Sequence, residues 1–109
     1  MIESPLGGDG LTLAEVQRSI QALYGAKDAA RGDAATFLWF AEEVGELATA
    51  LRSGSPEELA LEMADVLAWL ATLANIRGVD LSGAFRRKYL GGCPGCGRSP
   101  CTCDPAEKP

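Results

Sequence analysis

Two short acidic motifs combine residue type and spacing in a way that suits metal chemistry. One contains Glu43 and Glu46 and the other Glu62 and Asp65, each pair three residues apart in a largely apolar segment. On a helix such pairs share a face, with Cβ atoms about 5–6 Å apart. Four carboxylates on one apolar seam would repel each other and lose hydration. A divalent cation relieves both costs, so the pattern predicts a Mg²⁺ (or Mn²⁺) site, and the alternative is a solvated acidic face.

Glu42 adds a further acid beside the first motif. On a helix it falls near Glu46 but further from the predicted seam. Glu42 and Glu46 are therefore both candidates for the catalytic base that accepts a proton from water. For Glu42 the alternatives are an acid that contacts the metal ligands without contacting the metal and an ordinary surface residue.

Helix start and stop signals predict the elements that carry these motifs. Asp33 is expected to cap a helix that runs to about Arg52, with Gly54 in its C-terminal turn. Ser55 is expected to cap a second helix that runs to about Arg77. Further boundary signals of the second helix are Pro56, Glu58 as the partner in a capping box, and Gly78. A link this short predicts that the two helices pack antiparallel.

The antiparallel arrangement also predicts a register. In an antiparallel helix pair, residues at the same level have a roughly constant sum of residue numbers. Glu43 with Asp65, Glu46 with Glu62, and Trp39 with Trp69 all give the same sum. Both tryptophans are therefore expected on the acid face, roughly one helical turn from the metal. Aromatic residues at helical spacing are usually core, but here they are also candidates to stack on a nucleobase. Trp39 is the better candidate, because the helix that bears Trp69 is apolar nearly all round and should be buried.

Three basic residues are candidates to neutralise phosphate groups: Lys27, Arg31 and Lys88. The alternative for each is a solvated surface position, which is where most basic residues lie.

All four cysteines lie near the C-terminus, at Cys93, Cys96, Cys101 and Cys103. Four thiolates match the ligand number of tetrahedral Zn²⁺, and a reducing compartment favours metal over disulfide. Only four residues separate Cys96 from Cys101, against a dozen or more between the pairs of typical zinc ribbons. The alternatives are a disordered tail of free thiols and disulfides formed on oxidation.

Composition bounds the class of protein. The chain has 109 residues, a net charge of −5 and no histidine. The length fits one domain, and the negative charge argues against a general nucleic-acid binder. It does not exclude a nucleotide, because a bound cation inverts the local potential. We expect no membrane span and no signal peptide, and hence a cytoplasmic protein.

The remaining sequence predicts an all-α bundle of about four helices. We divide it into a flexible N-terminus (1–10), a helical domain (11–90) and a Cys-rich tail (91–109). A capping box of Thr12 and Glu15 opens a first helix to about Tyr24, followed by a charged connection over 25–33. Asp80 is expected to cap a short last helix that ends near Tyr89. The helix of the second motif is apolar on most sides, which predicts burial by a partner subunit as well as by its own chain.

The acidic motifs resemble those of the MazG-like nucleoside triphosphate pyrophosphohydrolases. The resemblance rests on 42–47 and 62–67, is strengthened by 73–75, 79–81 and 88–89, and covers about 12–90. It implies a helical bundle completed in dimers or tetramers, with Mg²⁺-dependent cleavage of a nucleotide between its α and β phosphates. It assigns the metal ligands to Glu43, Glu46, Glu62 and Asp65, and a substrate-binding basic residue to Lys88.

Two features set this chain apart within that resemblance. Many members have an asparagine four residues after the lysine, where this chain has Gly92. The Cys-rich tail resembles that of a short subgroup of the family. The expected reaction converts a nucleoside triphosphate and water to the monophosphate and pyrophosphate. The rival hypothesis is a helical adaptor with a zinc-binding tail and a degenerate metal site.

Overall fold

The computed structural model describes residues 10–107. Over this range the chain forms α1 (Leu13–Arg31), α2 (Asp33–Ser53), α3 (Pro56–Arg77) and α4 (Leu81–Tyr89), and no strand. The predicted all-α class is confirmed. The N-terminal segment that was expected to be flexible lies almost entirely outside the described residues.

The first helix is longer than its sequence predicts. The capping box of Thr12 and Glu15 forms, but α1 runs to Arg31 instead of ending near Tyr24. The predicted connection over 25–33 is therefore wrong. Alanine, lysine and arginine dominate the extension, and their helix propensity outweighs the cost of about 1 kcal/mol at Gly25. The extension adds about two helical turns to α1, which packs against α3.

A single residue, Gly32, separates α1 from α2. Its φ of 81° lies in the region that favours glycine, and it occupies the N-cap position expected for Asp33. The predicted Asp33 cap is thus wrong. Asp33 is the first residue of α2, and its carboxylate accepts a hydrogen bond from Arg77 Nη1 at 2.7 Å. This ion pair joins the start of α2 to the end of α3 and lowers the pKa of Asp33.

The boundaries between α2 and α3 largely follow the sequence signals. The Ser55 hydroxyl accepts a hydrogen bond from the Glu58 backbone N–H at 3.1 Å, as an N-cap should. The Glu58 side chain does not complete the predicted capping box. Gly54 follows α2 in an extended conformation, whereas Gly78 ends α3 with a left-handed φ of 67°.

The turn from α3 to α4 is fixed from α1. The Gln17 side chain donates to Asn75 Oδ1 and to the Val79 carbonyl at 3.1 and 2.8 Å. Its oxygen accepts from the Leu81 backbone N–H at 2.9 Å. Asp80 occupies the N-cap position of α4 as predicted, but its side chain makes no cap hydrogen bond. Gln17 satisfies the first free N–H of α4 in its place.

The interior of this single chain is small. α3 packs against both α2 and α1, yet only small residues are buried among those described: Asp28, Thr36, Ala50, Ala71, Thr72 and Ala74. Many large apolar side chains remain exposed, including Phe37, Leu38, Leu51, Leu61, Met63 and Leu70. One chain therefore leaves an apolar surface of the kind that marks protein interfaces.

By length and composition alone α3 could span a membrane. It has 22 residues, an 18-residue window in it has a mean hydropathy of 1.5, and it is the one such helix within residues 10–107. The expectation of no membrane span is therefore corrected as far as length and composition go. Core helices pass the same test, and α3 carries Glu62 and Asp65 near its middle. A charged side chain at the centre of a bilayer costs about 3 kcal/mol, so these acids suit a protein interior better.

Candidate active site

The register predicted for α2 and α3 is confirmed by their tryptophans. The rings of Trp39 and Trp69 stack with centroids 6.3 Å apart and planes 13° from parallel. On the acid side of this pair, carboxylate oxygens of Glu43, Glu46 and Glu62 all lie within 4.8 Å of one another. We call these residues the acid trio. It contains side chains from both helices of the antiparallel pair, Glu43 and Glu46 from α2 and Glu62 from α3.

Asp65 lies at the edge of the acid trio. It is exposed, and its oxygens are outside the 4.8 Å group. Its charge is nevertheless close enough to raise the pKa of Glu43 and of Glu62. Glu42 is exposed and does not join the trio, so its role as a proton acceptor stays a prediction.

The electrostatics of the trio favour a bound cation. Burial is the largest cause of the raised pKa of Glu43, followed by the charges of Glu46 and Asp65. Burial also raises the pKa of Glu62, again with Glu46 and Asp65 as the next causes. One oxygen of Glu43 and one of Glu62, Oε2 in each, are buried without a hydrogen-bond partner. Buried acceptors normally have partners, and hard cations bind through such oxygens, so the donor set fits Mg²⁺.

A cavity of about 370 Å³ lies beside the trio, between α1 and α3. Asp65 belongs to its wall, so the cavity adjoins the acids. The rest of its polar and aromatic lining is Tyr24, Lys27, Asp28, Arg31, Trp69 and Thr72. Cations, a carboxylate and π-faces together suit an anionic ligand that also has a flat ring.

Arg31 is held in place at the cavity by two contacts. Its guanidinium forms an ion pair with Asp28, and its central carbon lies 5.0 Å from the Trp69 ring centroid. Its Nε is buried without a hydrogen-bond partner. A preset guanidinium with a free donor is suited to bind a phosphate oxygen.

Asp28 is a site residue that the sequence did not identify. It is 4% exposed, and its second oxygen accepts a hydrogen bond from Thr72 Oγ1 at 3.1 Å. Its sequence context predicts a charged connection, whereas in the structure it belongs to α1. The signal that was available is the spacing of Asp28 and Arg31, since residues three apart on a helix are neighbours.

The other sequence-predicted substrate residues are divided between two places. Lys27 lines the cavity with Arg31. Lys88 does not, because it lies on α4, with its ammonium 5.6 Å from the Tyr89 ring centroid. Trp69 is only partly buried and lines the cavity, so the expected deep burial of its ring is wrong. Trp39 is 49% exposed and stacks against Trp69 outside the cavity lining.

The four cysteines converge at a second cluster. All four sulfurs lie within 4.8 Å of one another. Cys93 and Cys103 are 3.8 Å apart and Cys96 and Cys101 are 3.9 Å apart, measured between Sγ atoms. Such a group can hold a metal ion, and it is separate from the acid trio.

Comparison with known proteins assigns the chain to a class. The model of the MazG nucleotide pyrophosphohydrolase domain matches residues 31–90, more than half of the chain. The chain therefore belongs to the MazG nucleotide pyrophosphohydrolase family, and it is an enzyme of that class. The match includes α2, α3 and α4 with all the motif acids, and it ends before the cysteines.

A curated relative supports the same assignment. The chain is 38% identical over 77 residues to the dATP/dGTP diphosphohydrolase of Cyanophage S-2L. The aligned part covers 71% of this chain and 70% of the relative. These two matches favour the enzyme over the rival hypothesis of a helical adaptor.

Proposed function

We propose that this pyrophosphohydrolase uses Mg²⁺, or Mn²⁺ in its place, held by Glu43, Glu46, Glu62 and Asp65. The observation that carries the proposal is the acid trio, whose oxygens lie within 4.8 Å of one another. Two of its buried oxygens lack a partner, which is a cost that a cation would remove. The raised pKa values of Glu43 and Glu62 have the same origin, namely burial and mutual repulsion.

The reaction that follows is hydrolysis of a nucleoside triphosphate at its α-phosphorus. The bound cation supplies neutralisation of the phosphate oxygens and a lowered pKa of the attacking water. Glu46, or Glu42 beside the trio, accepts one proton of that water. The new bond joins the water oxygen to the α-phosphorus, and the bond to the oxygen that bridges α and β breaks. The products are the nucleoside monophosphate and pyrophosphate.

The cavity beside the trio provides the nucleotide site in this proposal. Lys27 and Arg31 neutralise the part of the triphosphate that extends beyond the metal. Trp69 already has Trp39 and Arg31 against its ring. The exposed ring of Trp39 is therefore our candidate for stacking on the base, with Trp69 as its support. Lys88 would take part only if oligomerisation brought α4 to the cavity of another subunit.

The preferred base is proposed from the named relative. The cyanophage protein is a dATP/dGTP diphosphohydrolase, and purine deoxynucleoside triphosphates are therefore our first candidate substrates. Clearing of particular nucleotides from the pool would be the corresponding role in the cell.

We further propose a cytoplasmic homodimer or homotetramer. The support is the exposed apolar surface of α2 and α3, which a single chain leaves uncovered. Leu61 and Met63 are each 50% exposed although they lie on the most apolar helix. The net charge of −5 leaves little reason to expect a nucleic-acid partner.

Pyrophosphate release from a panel of nucleotides tests the proposal. The panel should include all common NTPs and dNTPs, with Mg²⁺, with Mn²⁺ and with neither. Glu43→Gln removes one acid of the trio at constant shape, and we expect a loss of activity by orders of magnitude. Glu57→Gln, in the exposed first turn of α3, is the matched control and should keep activity. Full activity of Glu43→Gln at ordinary Mg²⁺ concentrations would contradict the metal assignment.

A further inference from the structure

The spacing of the cysteine sulfurs distinguishes a metal site from a pair of disulfides. The distances from Cys93 to Cys103 and from Cys96 to Cys101 are 3.8 and 3.9 Å between sulfurs. A tetrahedral zinc with Zn–S bonds of about 2.3 Å requires sulfur–sulfur edges of about 3.8 Å. A disulfide requires about 2 Å. Two edges of the cluster therefore match a ZnS₄ tetrahedron, and its remaining sulfur–sulfur distances are within 4.8 Å.

Backbone amides point at three of the four sulfurs. Gly95 N–H donates to Cys93, Thr102 N–H to Cys96 and Cys103 N–H to Cys101, each over 3.3 Å. Donors of this kind stabilise the negatively charged thiolate, which is the form that binds metals. The loop thus favours the thiolate form at three of its four cysteines.

The backbone of the loop is shaped for this convergence. Cys93 N–H donates to the Arg98 carbonyl at 3.1 Å, and Gly97 N–H donates to the Cys93 carbonyl at 2.7 Å. Gly92, with φ of 116°, lies so close that an added Cβ would be 2.7 Å from the Gly97 oxygen. A side chain at position 92 is therefore excluded on two grounds, and the glycine there serves the cysteine loop.

We propose that Cys93, Cys96, Cys101 and Cys103 bind one Zn²⁺ in a closed, structural site. Four protein ligands leave no position for water or substrate, which is the mark of structural zinc. No residue between 91 and 107 is buried, so this segment has no apolar core of its own. Zinc then supplies the free energy that holds the loop folded.

The two metal sites of the chain would be chemically distinct. Soft thiolates select Zn²⁺, whereas the carboxylates of the acid trio suit Mg²⁺ or Mn²⁺. The zinc site lies outside the part of the chain that matches the family model, which ends at residue 90. It does not depend on the proposed reaction, and it can be tested without a nucleotide.

Metal content and thiol accessibility test the proposal on the full chain. Protein purified under reducing conditions without chelator should contain about one zinc per chain by elemental analysis. Its four thiols should react slowly with a thiol reagent, and quickly once a zinc chelator is added. Replacement by Co²⁺ should produce the strong visible absorption of tetrahedral cobalt thiolates.

Variants provide the matched comparison. Cys101→Ser should lower the zinc content to near zero, whereas Ser99→Ala in the same loop should keep it. Glu43→Gln should also keep it, which separates this site from the acid trio. Zinc-free wild-type protein with four rapidly reacting thiols would overturn the proposal. So would disulfides joining the cysteines of protein that was kept reduced throughout.

Discussion

The acid trio and the cysteine cluster converge to similar distances by opposite routes. The trio draws residues from α2 and α3, and Asp65 and the cavity connect it to α1. The cysteines come from one segment of eleven residues, 93–103. The hydrogen bonds of residues 93–107 join only residues within that range. One cluster is a product of helix packing and the other of local loop geometry, so they should respond differently to the same perturbation.

The largest effect is expected on activity when one acid of the metal site is replaced by its neutral amide. Asp65→Asn should lower pyrophosphate release by orders of magnitude, because it removes a proposed metal ligand at constant shape. The free energy of unfolding without Mg²⁺ should stay the same or rise, because the charge of Asp65 no longer repels Glu43 and Glu62. Steady-state kinetics and thermal denaturation measure the two effects.

Asp80→Asn is the control, since the Asp80 side chain makes no cap hydrogen bond. It should leave the activity unchanged. An Asp65→Asn enzyme that is fully active at ordinary Mg²⁺ concentrations would contradict the proposed role of Asp65 as a metal ligand.

A smaller effect on activity is expected from changing a tryptophan, because both tryptophans lie on the helices of the acid trio and neither lies in the cysteine loop. Trp39→Ala should raise the Michaelis constant roughly tenfold, because stacking on one aromatic ring contributes about 1–3 kcal/mol. Nucleotide binding should quench tryptophan fluorescence in the wild type. Normal binding by Trp39→Ala, together with a much lower melting temperature, would show that the ring serves packing instead.

The acids also predict a pH dependence of stability without Mg²⁺. Glu43 and Glu62 have a raised pKa in the folded chain, so the folded state binds more protons than the unfolded state above the ordinary value of 4.5. Their contribution to stability therefore falls as the pH rises through the raised values. The melting temperature of wild type relative to Glu43→Gln should decline over that window. Mg²⁺ should reduce the decline. A difference in melting temperature between wild type and Glu43→Gln that does not change with pH would contradict the repulsion among the acids.

The smallest effect is expected from removal of the cysteine loop. A chain that ends after Tyr89 should keep its helical circular dichroism and a melting temperature within about 4 °C of the full chain. The reason is that the hydrogen bonds of residues 93–107 stay within that range, and the bond donated by Gly92 N–H reaches only the carbonyl of Tyr89, the last residue of α4. Loss of helix on truncation would show that the two regions stabilise each other.

The sequence predicted what depends on local signals and periodicity. The caps at Thr12 and Ser55, the stop at Gly78 and the level of the two tryptophans are all confirmed. Each follows from residue types within a few positions, or from the fixed pitch of two helices joined by a short turn.

The features that the sequence did not predict depend on contacts between residues that are far apart in the chain. The sequence predicted that α1 ends before Gly25, yet α1 continues to Arg31, where packing against α3 adds to the helix propensity of the residues after Gly25. Asp33 looked like a cap, but its carboxylate binds Arg77, which is 44 residues away. The cavity residues Asp28 and Thr72 meet only after α1 and α3 pack, so no pattern along the chain could pair them.

The small residues of the interior affect how far apart the proposed metal ligands can be. Ala71 and Thr36 have no exposed surface, and Ala50 and Ala74 are nearly as buried. Side chains this short act as spacers, since helices in contact through them approach more closely than helices separated by leucine. Carboxylates are short as well, and two helices must be near each other to share one ion. An interior of small residues thus helps to bring acids from α2 and α3 within reach of a common cation.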